Sequence, residues 1–358
     1  MTRYEEVEEQ LRSRPRRWLV TGAAGFIGSS LLESLLRLGQ SVVGLDNFRT
    51  GSRSNLSDVL ARVGPEKFAR FRFLEGDICD PRACRTATVG VDLVLHQAAL
   101  GSVPRSMEDP QSTHAVNVDG FVNVLLAANA ARVQRVVYAS SSSVYGDDLS
   151  NLKTEEILGQ PLSPYATTKL VNELYARTFQ RTHGIDSVGL RYFNVFGPRQ
   201  DPEGAYAAVI PRWTQALFSG EPCVVFGDGS ASRDFCFVEN VVQANLLAAC
   251  APASQIAPGV FNVGCGAETS LLELFAAIRT RVAAFSPSVA QKALRSEAPR
   301  RGDVPRSLAC IDRASGYLGY QPEYELSRGL DETIGWYAAR FNRPASRVPG
   351  PNQQSKAL

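Results

Sequence analysis

Short apolar runs alternate with longer amphipathic segments through the first half of the chain. The short runs are rich in β-branched residues and predict strands at 16–22, 40–46, 70–77, 91–99 and 135–141. The longer segments repeat apolar residues at helical spacing and predict helices at 25–39, 119–133 and 165–184. Because strands that alternate with helices form parallel sheets covered on both faces, we predict a doubly wound α/β fold.

The pattern changes after the stretch "SVGLRYFNVFGP", where Gly and Pro become more frequent and the apolar runs become shorter. We therefore predict a first domain over residues 1–188 and a smaller C-terminal ligand-binding region over residues 189–342. Segment 234–250 has a helical pattern and is expected to return to the first domain. Residues 343–358 are polar and contain proline, which predicts a disordered tail.

Composition excludes several classes of protein. The 358 residues include 38 basic and 36 acidic side chains that are intermixed, so no basic face for nucleic acid is predicted. No apolar run approaches the roughly 18 residues that a membrane span needs, and the first helical segment is too polar for a signal peptide. We therefore expect a cytoplasmic protein without membrane contact. Seven cysteines form no CxxC pair and only three histidines are present, so no metal site is predicted.

Three glycines lie between the first predicted strand and the following helix. Gly22, Gly25 and Gly28 have the spacing GxxGxxG, which lets the backbone approach a pyrophosphate at the helix N-terminus. Glycines alone also suit a tight turn without a ligand, but Asp46 ends the next strand, where a carboxylate can accept hydrogen bonds from the adenosine ribose. This combination predicts a Rossmann dinucleotide site that prefers NAD over NADP. The alternative for Asp46 is a turn cap.

Two further polar residues near this loop keep alternatives open. Asp77, in the stretch "EGDI", follows the third predicted strand and suits either the adenine edge or a loop cap. Arg49 suits a phosphate contact, which would weaken the preference for NAD.

A row of four serines, in "VVYASSSSVYGDD", follows the predicted strand 135–141. Serine runs usually mark solvated turns, whereas the carboxyl ends of strands in α/β proteins are where ligands bind. Tyr165 and Lys169 lie four residues apart on the next predicted helix and so share a face. A positive charge beside a phenol favours the phenolate, so this pair suits proton transfer, although Tyr165 alone also suits a core aromatic.

At this point the chain resembles a known group, the extended short-chain dehydrogenase/reductase superfamily of NAD-dependent epimerases and dehydratases. The motifs that carry the likeness run from Trp18 to about Trp336 and are "TGAAGFIGS", "LDNF", "GDI", "HQAA", "SSSSVYGD", "SPYATTK", "LRYFNVFGPRQ", "SRDFCFVENVV" and "RRGDVPRS". The stretches "TRYEEVEEQL" and "HQAALGSVPRSMEDP" are most similar to the bacterial UDP-N-acetylglucosamine 4-epimerases of surface-polysaccharide clusters such as O-antigen.

The resemblance implies roles for the serine row and the helix. Tyr165 is implied to be the catalytic base and Lys169 its partner. Ser141 is implied to hydrogen-bond the C4 oxygen of the sugar, with Ser142 and Ser143 beside it. The resemblance thus favours the functional interpretation of the serine row over the solvated turn.

The resemblance also implies two sets of binding residues. The set for NAD is Gly22, Gly25, Phe26, Ile27, Gly28, Asp46, Asn47, Asp77, Ile78, Gln97, Ala98, Tyr165 and Lys169. The set for a UDP-sugar is Ser102, Ser141, Ser142, Asn194, Arg233, Arg300, Asp303 and Ser307. Arginines suit a diphosphate because the guanidinium group binds it in a bidentate fork. Arg301 stays open.

The implied activity is reversible C4 epimerisation of UDP-N-acetylglucosamine and UDP-N-acetylgalactosamine through a 4-keto intermediate. A UDP-glucose/UDP-galactose or UDP-glucuronate 4-epimerase is the alternative, and the small Ser307 favours the acetylated pair. A dehydratase would need an Asp-Glu pair after the strand, where this chain has serines. A non-catalytic NAD-binding protein would be expected to lose Tyr165 or Lys169.

Two helices, 120–132 and 165–182, resemble the pair through which the family forms homodimers. Leu170, Leu174 and Phe179 give the second helix an apolar stripe. A stripe that faces the core of the same chain explains these residues equally well.

Overall fold

The computed structural model describes residues 1–203, 207–257, 259–298 and 305–341. The predicted tail and the predicted substrate residues Arg300 and Asp303, together with Arg301, lie outside these ranges. Within them the α-helices are α1 Arg3–Ser13, α2 Phe26–Arg37, α3 Arg53–Val63, α4 Pro65–Phe68, α5 Pro81–Thr88, α6 Val103–Glu108, α7 Pro110–His114, α8 Gly120–Ala130, α9 Pro164–His183, α10 Val209–Phe218, α11 Val238–Cys250, α12 Leu271–Ala283 and α13 Leu326–Phe341.

The strands of the same ranges are β1 Arg17–Thr21, β2 Ser41–Asp46, β3 Phe71–Glu75, β4 Leu93–His96, β5 Arg135–Ser141, β6 Leu152–Lys153, β7 Asp186–Tyr192, β8 Val195–Phe196, β9 Cys223–Phe226, β10 Ser232–Arg233, β11 Cys236–Phe237, β12 Val260–Val263, β13 Thr269–Ser270, β14 Leu294–Glu297 and β15 Arg306–Ala309. Segments Ala115–Asp119 and Ala314–Leu318 form π-helical turns, and Ser142–Tyr145, Ala253–Ile256 and Pro287–Gln291 form 3₁₀ turns.

Seven strands form one parallel sheet in the order β12-β7-β5-β4-β1-β2-β3. The order reverses direction between β1 and β4, so the chain leaves the centre of the sheet toward both edges. In such a sheet the crevice at the carboxyl ends of the strands beside the reversal is where a ligand binds. The predicted doubly wound α/β fold is confirmed, and the predicted strand 135–141 has the same bounds as β5.

Helices cover the sheet on both faces. On one face α2 and α11 contribute side chains such as Leu32, Leu35 and Val241 to a buried cluster with the strands. On the other face α8 and α9 contribute Phe121 and Phe179 to a second cluster. Burial on both faces explains why the strands are continuous apolar runs rather than alternating ones.

The C-terminal region has a smaller core of its own, which includes Trp213, Phe275 and Ile278. Three of its strands join β6 in a four-stranded sheet of order β13-β10-β15-β6, and the region also carries two two-stranded sheets. Helix α11 returns to pack on α1, α2, β5 and β7. The predicted boundary at residue 188 falls inside β7, and β12 joins the main sheet as well, because the outer edge of β7 needs a partner strand.

The described ranges were searched for membrane-spanning helices and for metal sites. Within them, no helix has the length and apolarity that crossing a bilayer requires. A search of the same ranges finds no group of three or more His, Cys, Asp or Glu side chains placed to hold a metal ion.

Candidate active site

The glycine loop between β1 and α2 brings backbone segments closer together than side chains would allow. Gly22 has a φ of +71°, and a Cβ there would lie 2.8 Å from the Ala98 nitrogen. A Cβ on Gly28 would lie 1.9 Å from the Gly22 carbonyl oxygen. Gly25 is the N-cap of α2 and has no side chain to cap the first-turn amides. These amides and the helix dipole suit a pyrophosphate, so the loop fits a dinucleotide.

A groove runs from this loop along the carboxyl ends of β2 and β3. It is lined by residues that include Gly22, Asp46, Asn47, Arg49, Asp77, Ile78 and Ala98. Six of the predicted NAD residues therefore meet in one place, and Arg49, left open in the sequence, lines the same groove.

Asp46 has the capping role that the sequence left as an alternative. Its Oδ2 accepts from the Ala24 amide at 2.9 Å and its Oδ1 from the Phe48 amide at 2.8 Å. These two bonds tie the end of β2 to the glycine loop. Each carboxylate oxygen keeps a further lone pair, so the capping role and a ribose contact are compatible.

Asp77 is held by the neighbouring loop. Its Oδ2 accepts from Asn47 Nδ2 at 2.8 Å, and its Oδ1 accepts from the Cys79 amide at 2.8 Å. Partial burial raises the pKa of Asp77, but these hydrogen bonds and the Arg49 charge outweigh it and leave the pKa below its usual value. Asp77 is therefore an ionised acceptor at the wall of the groove at neutral pH.

The side chain of the predicted NAD residue Gln97 bonds to two other side chains. Its Oε1 accepts from the Tyr192 hydroxyl at 3.1 Å, and its Nε2 donates to Asn245 Oδ1 at 3.3 Å. These partners belong to β7 and α11, and no motif or spacing in the sequence indicates them. Buried His96, just before Gln97, shares a hydrogen bond of 2.8 Å with Thr21 Oγ1.

The serine row is ordered rather than a loose turn. Ser141 ends β5, and the 3₁₀ turn Ser142–Tyr145 follows it. Ser141 Oγ accepts from the Ser143 amide at 3.2 Å and from Ser143 Oγ at 2.9 Å. Because this turn begins where β5 ends, its hydroxyls lie at the carboxyl edge of the sheet.

Helix α9 brings Tyr165 and Lys169 to the same edge. Ser163 caps the helix, with its Oγ accepting from the Ala166 amide at 3.1 Å. The Tyr165 hydroxyl lies close enough to the Ser141 side chain for that side chain to lower its pKa. Lys169 Nζ donates to the Ala139 carbonyl oxygen at 2.8 Å and lies 5.9 Å from the centre of the Tyr165 ring. The structure thus brings together Ser141, Tyr165 and Lys169.

Burial governs the ionisation of this group. It raises the pKa of Tyr165 above its ordinary value, and the interaction with the Ser141 side chain offsets only part of that rise. Burial also lowers the pKa of Lys169 to about 8. The sequence argument expected a lowered phenol pKa, but Lys169 is bonded to a carbonyl rather than to the phenol. A positive charge nearby, from the Lys169 ammonium or from an oxidised nicotinamide when bound, would lower the pKa of Tyr165.

Three of the predicted substrate residues are connected through buried Asp234. Strand β10 pairs Arg233 with Ser307 of β15, and the Asp234 amide donates to the Ser307 carbonyl oxygen at 2.9 Å. Asn194 Nδ2 donates to the Asp234 carbonyl oxygen at 3.1 Å. The carboxylate of Asp234 accepts from the amides of Cys265, Gly266 and Ala309. Sequence analysis missed Asp234, although it adjoins Arg233 in the motif "SRDFCF".

Burial raises the pKa of Asp234 to about 6, and the backbone amides that donate to it work in the opposite direction. At neutral pH the carboxylate accepts hydrogen bonds from these amides. It thereby joins its own segment to the segment of Cys265 and Gly266 and to β15.

Ser102, another predicted substrate residue, has an unusual backbone conformation with a φ of 105°. It caps the short helix α6, where its side chain accepts from the Arg105 amide at 3.2 Å. Such a backbone is rare for a residue with a side chain.

The apolar stripe of α9 is divided between core and surface. Phe179 is buried in the cluster under α8, and Leu170 packs against Val144 and Tyr145. Leu174 is 56% exposed. The core-facing explanation therefore accounts for Leu170 and Phe179 but not for Leu174.

A comparison with known proteins identifies the chain. Residues 18–264 match the family described as NAD dependent epimerase/dehydratase family. The chain belongs to this family. NAD is its cofactor, and the glycine loop, the open first-turn amides of α2 and the groove beside Asp46 fit that cofactor.

Relatives in this family share most of their length with the chain. A UDP-glucose 4-epimerase from Mycolicibacterium smegmatis is 39% identical over 90% of this chain and 98% of its own. The structure is similar, with a TM-score of 0.82 and 32% identity over 91% and 99% of the two chains, to a UDP-N-acetylglucosamine 4-epimerase from Methanobrevibacter ruminantium in complex with UDP-N-acetylmuramic acid. It is also similar, with a TM-score of 0.78 and 30% identity over 91% and 99%, to a UDP-glucuronic acid 4-epimerase variant from Bacillus cereus with UDP-4-deoxy-4-fluoro-glucuronic acid and NAD.

The close approach of Gly28 to Gly22 generates a prediction. Gly28→Ala would place its Cβ 1.9 Å from a backbone oxygen that has no freedom to rotate away. We expect the variant to lose on the order of 3 kcal/mol of unfolding free energy and most of its bound NAD. Urea unfolding and release of nucleotide on denaturation measure the two effects.

The control is Gly335→Ala on α13, where a Cβ would meet nothing within 4 Å. Because alanine favours a helix interior, we expect this variant to gain roughly 0.5 to 1 kcal/mol and to keep its NAD. A Gly28→Ala variant as stable as the parent would contradict the described loop.

Proposed function

We propose that the protein is an NAD-dependent UDP-sugar 4-epimerase that interconverts UDP-N-acetylglucosamine and UDP-N-acetylgalactosamine. The observation that carries the proposal is the meeting of Ser141, Tyr165 and Lys169 at the carboxyl edge of the sheet. A proton-transfer group beside a hydride acceptor is what oxidation of a sugar hydroxyl requires. The relatives that act on UDP-sugars support the substrate class.

The mechanism begins with proton removal from the sugar. Tyr165 Oη, as phenolate, takes the proton of the C4 hydroxyl, while the Ser141 hydroxyl donates a hydrogen bond to the same sugar oxygen. Lys169 keeps its ammonium group buried nearby and favours the charged phenolate. When bound, NAD supplies the acceptor that takes the C4 hydride and later returns it.

Inversion follows from the second half of the cycle. The 4-keto sugar turns over about its diphosphate linkage, and the hydride returns to the opposite face of C4. Tyr165 gives its proton back to the new C4 oxygen, so the protein ends the cycle in its starting protonation state. No net oxidant is consumed, and free NADH does not accumulate.

The dehydratase alternative lacks its acid residues. Elimination of water from the sugar requires an acid and a base next to the strand end in addition to the tyrosine. The turn after β5 supplies the hydroxyls of Ser142 and Ser143 at that position. Epimerisation needs one proton-transfer group at C4, and Tyr165 meets that need.

Replacement of Tyr165 by phenylalanine tests the assignment. Tyr165→Phe removes only the hydroxyl, so we expect turnover of UDP-sugars to fall by about 10²- to 10⁴-fold. The fold and the bound NAD should remain. The measurement is the ratio of C4 epimers by chromatography, together with absorbance at the NADH band.

The serines provide the matched control. Ser141→Ala should reduce turnover more than Ser143→Ala, because Ser141 is the serine proposed to contact the C4 oxygen and its side chain interacts with Tyr165. Turnover by Tyr165→Phe within a few-fold of the parent, or release of NADH in proportion to product, would refute a 4-epimerase.

Preference for acetylated sugars rests on Ser307. This residue lies on β15 beside Arg233, the residue assigned to the diphosphate. Serine is small, and a small wall leaves room for an acetamido group in both orientations of the 4-keto sugar. UDP-glucose lacks the acetamido group, so in the same pocket it would lose transition-state binding free energy on the order of 1 to 3 kcal/mol relative to the acetylated sugar.

The Ser307→Tyr variant tests this preference. We expect it to lose kcat/KM for the two acetylated sugars by about 10²-fold or more, since the ring would occupy the acetamido space. Its kcat/KM for UDP-glucose and UDP-galactose should stay within a few-fold of the parent. Initial rates with all four sugars measure this, and an unchanged rate with the acetylated pair would exclude Ser307 from the sugar pocket.

A homodimer built on α8 and α9 is part of the same proposal. Leu126, Leu174 and Tyr175 are 49%, 56% and 39% exposed on these helices, and a second copy of the chain would remove them from water. We expect light scattering to give twice the monomer mass. Leu174→Glu should give a monomer, while Leu149→Glu, at a position 93% exposed on a loop, should stay dimeric.

A further inference from the structure

The end of β5 contacts helix α9 through three successive residues. Lys169 donates to the Ala139 carbonyl oxygen, and the Ser141 side chain lies close enough to Tyr165 to lower its pKa. Between them, Ser140 Oγ donates to Glu173 Oε1 at 2.6 Å. Positions 165, 169 and 173 lie one helical turn apart, so the three contacts share one face of α9.

Glu173 has a buried partner on the neighbouring strand. Arg191 of β7 donates from Nε to Glu173 Oε1 at 2.9 Å and from Nη2 to Oε2 at 2.8 Å. The Arg191 and Glu173 side chains are 3% and 6% exposed. Arg191 is the register partner of Ser140 in the sheet, so Ser140, Glu173 and Arg191 form one compact polar group.

The same arginine reaches the serine turn. Its Nη1 donates to the Tyr145 hydroxyl oxygen at 3.1 Å and to the Glu155 carbonyl oxygen at 3.2 Å. Tyr145 is the last residue of the turn Ser142–Tyr145, and its hydroxyl donates to Asn262 Oδ1 at 2.6 Å. Arg191 therefore contacts α9 through Glu173 and the turn that carries the serines through Tyr145.

Stability alone does not explain a charged pair at this place. Taking both ions out of water costs several kcal/mol each, and well-packed apolar residues of similar size are often as stable or more so. What the pair provides in addition is directional: a bidentate fork sets the distance and the angle between two elements. The fork here joins α9, which carries Tyr165, to β7, and Nη1 of the same guanidinium group joins β7 to Tyr145 of the serine turn.

We propose that Glu173 and Arg191, with Ser140, are positioning residues that set the distance between the Tyr165 hydroxyl and the Ser141–Ser143 hydroxyls. They do so through α9 and the serine turn, without touching the sugar themselves. The inference rests on the proposed epimerase function for its kinetic consequence. A displacement of about 1 Å in a proton-transfer group reduces turnover on the order of 10²-fold.

The decisive variant replaces the whole polar group by apolar residues. Ser140→Ala, Glu173→Leu and Arg191→Met combined leave no buried charge unpaired, so we expect the triple variant to fold and to keep its NAD. We expect its kcat to fall about 10- to 100-fold, with KM for the UDP-sugar within about threefold of the parent. A triple variant that folds and retains the parent's kcat would overturn the proposal.

Two milder variants decide the matter if the triple variant does not fold. Ser140→Ala removes the bond at the strand end and keeps the ion pair, and Glu173→Gln keeps the shape and removes the charge. Each should lower kcat per folded molecule by about threefold or more, with KM unchanged. Parent values of kcat in both would refute positioning.

A matched ion pair elsewhere provides the control. Arg199 and Glu33 are joined at 2.6 Å with side chains 3% and 11% exposed, and they lie on the α2 side of the sheet. Glu33→Gln should reduce stability, because Arg199 loses a partner, and should leave kcat per folded molecule unchanged. An equal fall in kcat in Glu33→Gln and Glu173→Gln would show a general effect of buried charge and overturn the specific role.

A structural readout separates this inference from the proposed function. In a crystal structure of the triple variant we expect the Ser141 and Tyr165 side chains to lie farther apart than in a crystal structure of the parent. If the parent epimerises no UDP-sugar but this separation grows, the proposed function fails and the positioning role stands. If the parent is active and the separation and kcat of the triple variant match it, the positioning role fails.

Discussion

The carboxyl edge of the central sheet buries charged side chains, and each of those described there has a polar partner. An unpaired charge in apolar surroundings costs several kcal/mol, so these partners determine where the side chains lie. Lys169 is held by the Ala139 carbonyl, and Glu173 by Arg191 and Ser140. The need to satisfy buried polar groups thus determines how Lys169 and Glu173 are placed on α9, and it also affects the stability of the fold.

The same constraint organises the C-terminal region through Asp234. Its buried carboxylate accepts hydrogen bonds from backbone amides of the segment after β12 and of β15. The Asp234 backbone bonds to Asn194 and Ser307. The two-residue strands around it are too short to hold a sheet by themselves. By accepting several amides, Asp234 holds these segments together, and Arg233 is the residue next to it in the chain.

Local pattern was sufficient for five of the seven strands of the main sheet, β1 to β5, and for the glycine loop. The strand 135–141 was predicted with its bounds because it is a continuous apolar run with no Gly or Pro, and buried parallel strands have that pattern. The GxxGxxG spacing predicted the loop because backbone approach depends on residues close in sequence. Spacing of four residues likewise placed Tyr165 and Lys169 on one face of α9.

Partners distant in sequence were beyond such reasoning. The amide of Gln97 bonds to Tyr192 and Asn245, which lie 95 and 148 residues further along the chain, and the sequence pattern did not predict these partners. Glu173 lies one turn after Lys169, yet its role depends on Arg191, and periodicity does not reveal which strand will adjoin which helix. The raised pKa of Tyr165 also depends on burial that only the assembled protein provides.

The late return of β12 to the sheet has a consequence for synthesis of the chain. Strand β7 pairs on one side with β5, but its other edge has no partner until residues 260–263 have left the ribosome. During that interval a long parallel edge with unpaired amides and carbonyls is exposed, and such edges template pairing between chains. Fragments that stop before residue 260 should therefore aggregate, and the nascent protein would gain from a chaperone that shields this edge.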